Sequence, residues 1–214
     1  MEEASSLLSF LSDKSVVSLF ALDTPEECAE ILLDPLGETK EQLIACASKL
    51  SILRKRDEEL LNALALNLNL GGVIFLSPTF AQLKRKNVIE IRLLGEVGEV
   101  FCKKCGHSFP IVPFEEVCPY CGLPLLPKIQ PLPGDMGKRV ERAVRTAMSS
   151  DALLVLGNPE KLLPGALIPW VSKLFGGVEL AVVSRDDVAI KSIADLVINK
   201  DPLEIFGSIE EKRS

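Results

Sequence analysis

Six short, almost continuously apolar segments recur along the chain, and most of them are rich in β-branched residues. Strands covered on both faces have this composition, because neither face meets water. We therefore predict six buried strands, at residues 15–22, 71–76, 87–94, 151–157, 177–184 and 194–199.

Amphipathic segments separate these strands. Thr24 is a candidate N-cap with acidic residues close behind it. The spacing of Val140, Val144 and Met148 places them on one apolar helix face, and Trp170 is expected in the core. The predicted helices lie at residues 1–13, 24–33, 39–67, 134–150, 167–175 and 201–211. Strands that alternate with helices predict an α/β fold, a parallel sheet with helices on both faces.

A cysteine-rich segment interrupts this alternation. Residues 98–127 should form a small module inserted into a main domain made of residues 1–97 and 128–214. Its two C-x2-C pairs, separated by twelve residues, can converge on one tetrahedral Zn²⁺. Four thiolates leave no position open for water, so we predict one structural, non-catalytic zinc ion per chain. The predicted metal ligands are Cys102, Cys105, Cys118 and Cys121.

Other histidine, glycine and cysteine residues are candidates for further ligands or for structural support of this site. His107 lies in the same segment, but four cysteines already complete a zinc site. Gly106 and Gly122 directly follow the two pairs and permit turns that aim backbone amides at the sulfurs. Cys28 and Cys46 lie in helical patterns and are expected to be buried as small hydrophobic residues.

Composition narrows the cellular setting and the partners. A net charge of −6 disfavours a broad electrostatic contact with nucleic acid. Basic residues near 54–56 and 84–86, with Lys103 and Lys104, leave a local contact as an alternative. The acidic N-terminus lacks the basic region of a signal peptide, and no apolar run approaches the roughly 18 residues that span a bilayer. Six cysteines without a secretory signal indicate a reducing compartment, so we expect a cytoplasmic protein without a membrane partner.

From about residue 87 onwards the chain resembles the sirtuins, the NAD-dependent protein deacylases. The strand "NVIEI" and the following "GEVGEVFCKKCG" resemble the family's approach to its first cysteine pair, and "VCPYCGLPLLP" resembles the second pair. The segment "SSDALLVLGNPEKLLPGALIP" resembles a strand and loop of the family, with Asn158 and Pro159 in place of its Thr-Ser. The resemblance implies a Rossmann-like domain interrupted by a zinc ribbon. The matching residues in that loop are Asp151, Gly157, Pro164 and Ala166.

The departures from the family fall where its chemistry would lie. The glycine-rich phosphate loop is replaced by "LFALDTPEEC", which places Leu22, Asp23, Glu26 and Glu27 where phosphates would sit. The family's TQNID motif falls on "SPTFA" at residues 77–81.

The family's general base and its acyl-lysine loop are altered as well. The histidine of the family falls on Leu94 or Arg92, depending on the direction of counting. Leucine carries no base and arginine stays protonated. The acyl-lysine loop falls on "IQPLPGD", in which Gly134 and Asp135 match.

These departures predict a sirtuin-like pseudoenzyme. In this hypothesis the chain is not an enzyme, has no catalytic or cofactor-binding residues, does not bind NAD, and serves as a zinc-stabilised protein-interaction or complex subunit. One alternative is an enzyme or nucleotide-binding protein with altered chemistry in the sirtuin cleft. Another is a nucleic-acid or ribonucleoprotein-associated zinc protein.

Overall fold

A computed structural model describes residues 2–22, 56–76, 87–93, 96–110, 117–130, 136–161 and 165–210. Within these ranges the strands are β1 (Ser15–Ala21), β2 (Asn69–Phe75), β3 (Ile89–Arg92), β4 (Glu96–Phe101), β5 (Ser108–Pro110), β6 (Leu126–Gln130), β7 (Ala152–Gly157), β8 (Glu179–Val183) and β9 (Leu196–Ile198). The helices are α1 (Glu2–Leu11), α2 (residues 56–67), α3 (Met136–Met148), α4 (Leu167–Gly176) and α5 (Pro202–Glu210). Short 3-10 turns lie at Pro159–Lys161 and Ala189–Ile193.

The six predicted apolar segments form one parallel sheet, in the order β3-β2-β1-β7-β8-β9. The chain starts near the middle at β1, moves outward through β2 to β3, and returns to β7 on the other side of β1. It then continues outward to β8 and β9. The prediction of an α/β fold with a parallel sheet is confirmed, and the direction of winding reverses between β1 and β7.

Helices cover both faces of this sheet, because each strand sends alternate apolar side chains to opposite sides. In β1, Val16 and Phe20 pack into a core cluster with residues of α1, α2 and α5. Val17 and Leu19 pack into a second cluster with residues of α3 and α4. Both faces of the strand are therefore buried, as its continuous apolar sequence predicts.

Helix α3 lies close to the sheet and to α4. Its buried residues are Ala143, Thr146 and Ala147, all with small side chains that allow close approach. Gly72 of β2 takes part in this contact, since a Cβ added there would lie 3.2 Å from Thr146 Cγ2. Met148, which the sequence pattern groups with Val140 and Val144 on one apolar face, is 37% exposed at the end of the helix.

A second sheet of three antiparallel strands, in the order β5-β4-β6, carries the cysteines. It begins at Glu96 and ends at Gln130, while the domain limits given above stay a prediction. The predicted helix at 24–33 and the positions of Cys28 and Cys46 lie outside the described residues. Among the helices in the described ranges, none has the length and apolarity that a membrane crossing requires.

Candidate functional site

The four predicted ligand cysteines converge at one end of the three-stranded module. Their four Sγ atoms all lie within 4.8 Å of one another, and the Sγ atoms of Cys102 and Cys121 are 3.5 Å apart. A tetrahedral zinc ion with Zn–S bonds of about 2.3 Å holds its sulfurs roughly 3.8 Å apart. The cluster therefore has the spacing and the donor atoms to hold a metal ion.

Two similar turns bring these sulfurs together. The Gly106 backbone N–H donates to the carbonyl of Cys102, and the Gly122 N–H donates to that of Cys118, both at 2.8 Å. The N–H of the first cysteine of each pair then donates to the carbonyl that follows the glycine, at 2.8 and 2.7 Å. Both glycines have left-handed backbone angles, with φ of 72° and 68°. The sequence position of each glycine is thus explained by the turn it must make.

The surroundings of the sulfurs give the Cys102 and Cys105 thiols different pKa values. The Cys105 backbone N–H donates to Cys102 Sγ at 3.4 Å, which lowers the pKa of the Cys102 thiol to about 7. Hydrogen bonding to Cys121, together with burial and the nearby Cys102, raises the pKa of Cys105 to about 12. Without a cation, crowded sulfurs resist a second negative charge. A bound metal ion removes that resistance, which is why thiolate sites couple metal binding to deprotonation.

An aromatic group lies beside the four cysteines and was missed by the sequence analysis. The ring centroids of His107 and Tyr120 are 4.6 Å apart, and those of Phe109 and Tyr120 are 6.1 Å apart. His107 therefore packs against other aromatic rings. In the described residues the cluster of potential metal ligands consists of the four cysteines and does not include His107. The signal that could have found this group is the placement of one ring in or next to each cysteine turn.

The second candidate site lies at the carboxyl edge of the large sheet, between β1 and β7. Ala21 and Gly157 end these two strands and are paired in register, and the Asn158 N–H donates to the Ala21 carbonyl at 2.9 Å. Gly157 has a φ of 92°, and a Cβ added there would lie 2.3 Å from the Ala21 oxygen. The winding of the chain reverses here, since the helix α2 that precedes β2 packs on one face of the sheet and the helix α4 that follows β7 packs on the other; in open parallel sheets such a reversal is where ligand-binding crevices form. We refer to this place as the switch-point cleft.

Polar side chains that follow β7 and β8 meet at the edge of the cleft. The Asn158 side-chain amide donates to Asp186 Oδ2 at 3.0 Å, and its Oδ1 accepts the Glu160 N–H at 3.0 Å. Lys161 Nζ lies 3.2 Å from the same Asp186 oxygen. The hydrogen bond from Asn158, followed by the one from Lys161, lowers the pKa of Asp186 below its ordinary 3.8. Asp186 is therefore an ionised carboxylate that fixes the orientation of Asn158.

Sequence analysis identified Asn158 only as a departure from the family and did not identify Asp186. The signal was present, since both residues follow directly on apolar strand segments. Their closeness depends on β7 and β8 being neighbours, which only the strand order establishes.

Most of the predicted family departures lie outside the described residues. These are Asp23, Glu26, Glu27, residues 77–81 and Leu94, and the matching residues Gly134 and Asp135 lie outside as well. Arg92 is described, at the end of β3. Its Nε donates to Glu90 Oε1 at 2.6 Å, and its guanidinium lies 5.0 Å from the centroid of the Phe75 ring. This arginine is held as a cation and is not available as a base.

The basic residues singled out from the sequence lie partly in the described ranges. Arg56 donates to Asp57 Oδ1 at 2.9 Å and is thus neutralised within its own helix. Lys103 and Lys104 lie exposed in the first cysteine turn. Residues 54–55 and 84–86 lie outside the described residues.

Comparison with curated proteins shows which proteins this chain resembles in sequence. No protein-family model matches the chain. It is 32% identical over 138 residues to an NAD-dependent protein deacylase of Pyrococcus abyssi, a match that covers 58% of this chain and 53% of that protein. It is 31% identical over 122 residues to an NAD-dependent protein deacetylase of Caldivirga maquilingensis, covering 53% and 46% of the two chains. The chain spans about half the length of the curated relatives it matches.

Solved structures extend the likeness to nearly the whole chain. The structure of Sir2Tm bound to a propionylated peptide superposes with a TM-score of 0.63 at 17% identity, covering 99% of this chain and 98% of that one. A structure described under the mechanism and regulation of Sir2 enzymes gives a TM-score of 0.60 at 15% identity, covering 99% and 98%.

The class defined by this fold is the Sir2-like Rossmann fold, with a four-cysteine cluster compatible with a zinc module. The resemblance drawn from the motifs is confirmed: the chain is similar in sequence to NAD-dependent protein deacylases and deacetylases and in fold to Sir2 structures.

The prediction that the chain is not an enzyme is contradicted by the same comparisons. Its relatives are named as NAD-dependent protein deacylases and deacetylases, and its structural neighbours are Sir2 enzymes. They also stand against the expectation that NAD is not bound. The prediction rested on loop residues, most of which lie outside the part of the chain that the structure describes.

Proposed function

We propose that this chain is an enzyme of the sirtuin type that binds NAD in the switch-point cleft and performs its reaction with altered residues. The observation that carries the proposal is the reversal of winding between β1 and β7, with Gly157 bringing the two strand ends into contact. In open parallel sheets, ligands bind in the crevice outside the carboxyl ends of the strands at such a reversal.

The polar group beside the cleft suits a nucleotide. Asn158 offers an amide whose orientation is fixed by Asp186 and by the Glu160 N–H. An ionised carboxylate can accept hydrogen bonds from ribose hydroxyls, and an ammonium such as that of Lys161 can neutralise a phosphate. These three side chains bind and orient, and none of them needs to react.

The part of the chemistry that differs from the family is the residue that accepts a proton. NAD, when bound, supplies an ADP-ribosyl group with nicotinamide as the leaving group. At the sequence positions that match the family base, Leu94 has no proton acceptor and Arg92 is a cation paired with Glu90. The reaction must therefore use a base of another type, or end at a step that needs none.

The relatives' names indicate which substrate to test first. They are called protein deacylases and deacetylases that depend on NAD, so acyl-lysine peptides are the substrate class that we propose for this chain.

The test begins with binding. A ligand that binds only the folded state adds about 2.7 kcal/mol of stability at 100 times its Kd, so millimolar NAD should raise the melting temperature. Replacing Asn158 with Ala should reduce this shift. Asn67→Ala is the matched control, because Asn67 lies at the end of α2, just before β2 at the opposite edge of the sheet, and its side-chain amide donates to the Ala63 carbonyl within its own helix. The absence of any saturable shift with NAD in the wild-type chain would overturn the proposal.

Turnover is measured next, as nicotinamide release with and without an acylated lysine peptide. Nicotinamide release without a deacylated product would show that the reaction stops before deacylation. Release with deacylation would define a complete reaction that uses another base.

We also propose that the four-cysteine cluster holds one structural zinc ion. Its support is the donor set, four sulfurs within 4.8 Å of one another on two tight turns. The ligands that we propose are Cys102, Cys105, Cys118 and Cys121.

A further inference from the structure

Helix α4 exposes an apolar stripe to solvent. Leu167, Leu174 and Phe175 are 51%, 61% and 79% exposed, and Trp170 and Val171 between them are half-buried. The spacing of these five residues is i, i+3, i+4, i+7 and i+8, the pattern by which a helix packs its apolar side against another element. Here the stripe lies on the outside of the molecule.

The inner side of the same helix is partly polar. Ser172 is completely buried, and its hydroxyl has no hydrogen-bond partner in the described part of the chain. Folding therefore places a serine in the core and leaves two leucines and a phenylalanine at the surface. This reversal of the usual preference indicates that the outer stripe is selected for a contact that the isolated chain does not make.

The end of α3 extends this surface. A Cβ added to Gly176 would lie 2.9 Å from Met148 Cγ, so the last turns of α3 and α4 adjoin. Met148, at the end of the apolar face of α3, is itself exposed. We define the α4 patch as Met148, Leu167, Trp170, Val171, Leu174 and Phe175.

We propose that the α4 patch is the interface through which two copies of this chain associate. The first argument is charge. Association of identical chains about a twofold axis brings like residues together, so uncompensated charge in the patch would repel. Lys173 is the one charged residue of α4, and its Nζ lies 2.7 and 2.6 Å from the two carboxylate oxygens of Asp195. The patch thus presents apolar surface without an unpaired charge from its helix.

The second argument is area. Large apolar side chains cover roughly 150–250 Å² each, so the exposed fractions amount to about 400–500 Å² of apolar surface per copy. A stable dimer buries about 800 Å² per partner, of which a little over half is apolar. The patch is therefore large enough to form the apolar centre of a dimer interface.

The alternatives fit the charge of the chain less well. An anionic membrane surface or a nucleic acid would meet a protein with a net charge of −6.

The apolar end of the patch also lies away from the switch-point cleft. Met148 comes just before β7, and Phe175 comes just before β8, so both lie at the amino edge of the sheet. Two copies joined there leave the cleft at the carboxyl edge open, and the proposal is independent of any NAD-dependent reaction.

The test is the mass of the full chain in solution, measured by sedimentation velocity and light scattering over a range of concentrations. We expect twice the 23.3 kDa of the single chain. The double variant Leu174→Glu with Phe175→Glu should weaken self-association by at least about 100-fold, because it places charges at the centre of a twofold interface. Both side chains are exposed, so the folded structure should persist and circular dichroism checks it.

Leu66→Glu is the matched control, since Leu66 is 64% exposed and lies on α2, across the sheet from α4. It should leave the dimer intact. If the double variant does not fold, Phe175→Gln alone makes the same comparison. A wild-type chain that is monomeric throughout, a dimer that survives the α4 substitutions, or an equal loss with Leu66→Glu would each overturn the proposal. So would a monomer that instead binds phosphatidylserine vesicles through this patch.

Discussion

Gly157 and Ala21 approach each other so closely that no side chain fits between them. A Cβ on Gly157 would lie 2.3 Å from the Ala21 carbonyl oxygen and 2.8 Å from its carbonyl carbon. The two residues end neighbouring parallel strands, at the place where the winding of the chain reverses. Gly157 therefore permits the close contact of the two strand ends and marks the position of the switch-point cleft.

This contact predicts a large loss of stability for Gly157→Ala. The substitution adds the strain of a left-handed residue and a clash with rigid backbone. Gly177→Ala is the control, because Gly177 also has a positive φ of 65° but no atom within 4 Å of an added Cβ. The control should cost about 1–2 kcal/mol, and Gly157→Ala should cost at least ~2 kcal/mol more. Urea unfolding of the two variants makes the comparison, and equal losses would show that the two strand ends can separate.

The metal centre predicts about one zinc ion per chain by elemental analysis. Cys118→Ser should release it, because three thiolates cannot close the site, and should lower the stability of the three-stranded module. Cys46→Ser, which removes a cysteine outside the proposed ligand set, should retain the metal. A chain purified with an iron–sulfur chromophore, or with no metal under conditions that preserve zinc, would contradict the assignment.

The ion pair between Lys173 and Asp195 predicts a dependence of stability on pH. Partial burial acts to raise the pKa of Asp195, but Lys173 and the Leu180 N–H, which donates at 2.7 Å, outweigh it and lower the pKa below its ordinary 3.8. Folding thus favours the ionised form. The contribution is complete above about pH 3.8 and is lost as the pH falls through the lower folded-state pKa.

The variant Asp195→Asn isolates this contribution. It should be less stable than wild type at pH 7 by about 0.5–1 kcal/mol, the range of a partly exposed ion pair. The difference should shrink as the pH falls below 3.8. Glu141→Gln, which removes the acid of the exposed pair with Arg145, should show a smaller difference at pH 7. Denaturant titrations at several pH values measure both, and a gap that widens in acid would reverse the assigned sign.

The strands and the convergence of the four cysteines could be predicted because their signals are local. Apolar segments of six to eight residues mark each buried strand, and the cysteine spacing defines two turns without reference to the rest of the fold. Met148 and Trp170 were harder, because periodicity groups residues on one face without showing which face meets the core. In α4 the more apolar face is the outer one. Asp186 could not be predicted, since its closeness to Asn158 follows from the pairing of β7 with β8.

The contact between Asp186 and Asn158 gives the last prediction, which concerns the proposed NAD site. Asp186 accepts from the Asn158 amide and lies beside Lys161, so it positions both side chains toward the cleft edge. Removing it by Asp186→Ala takes away one of the two contacts that orient the Asn158 amide, the other being the Glu160 N–H, and removes the carboxylate beside Lys161. We expect the affinity for NAD to fall by about tenfold, equivalent to roughly 1.4 kcal/mol, measured as the shift in melting temperature over an NAD titration. Asp187→Ala is the control, because Asp187 is the exposed neighbour and its removal leaves the Asn158 contact in place. If both variants keep the wild-type affinity while Asn158→Ala loses it, Asp186 has no positioning role. If none of the three changes the affinity, NAD binds elsewhere than at this edge of the sheet.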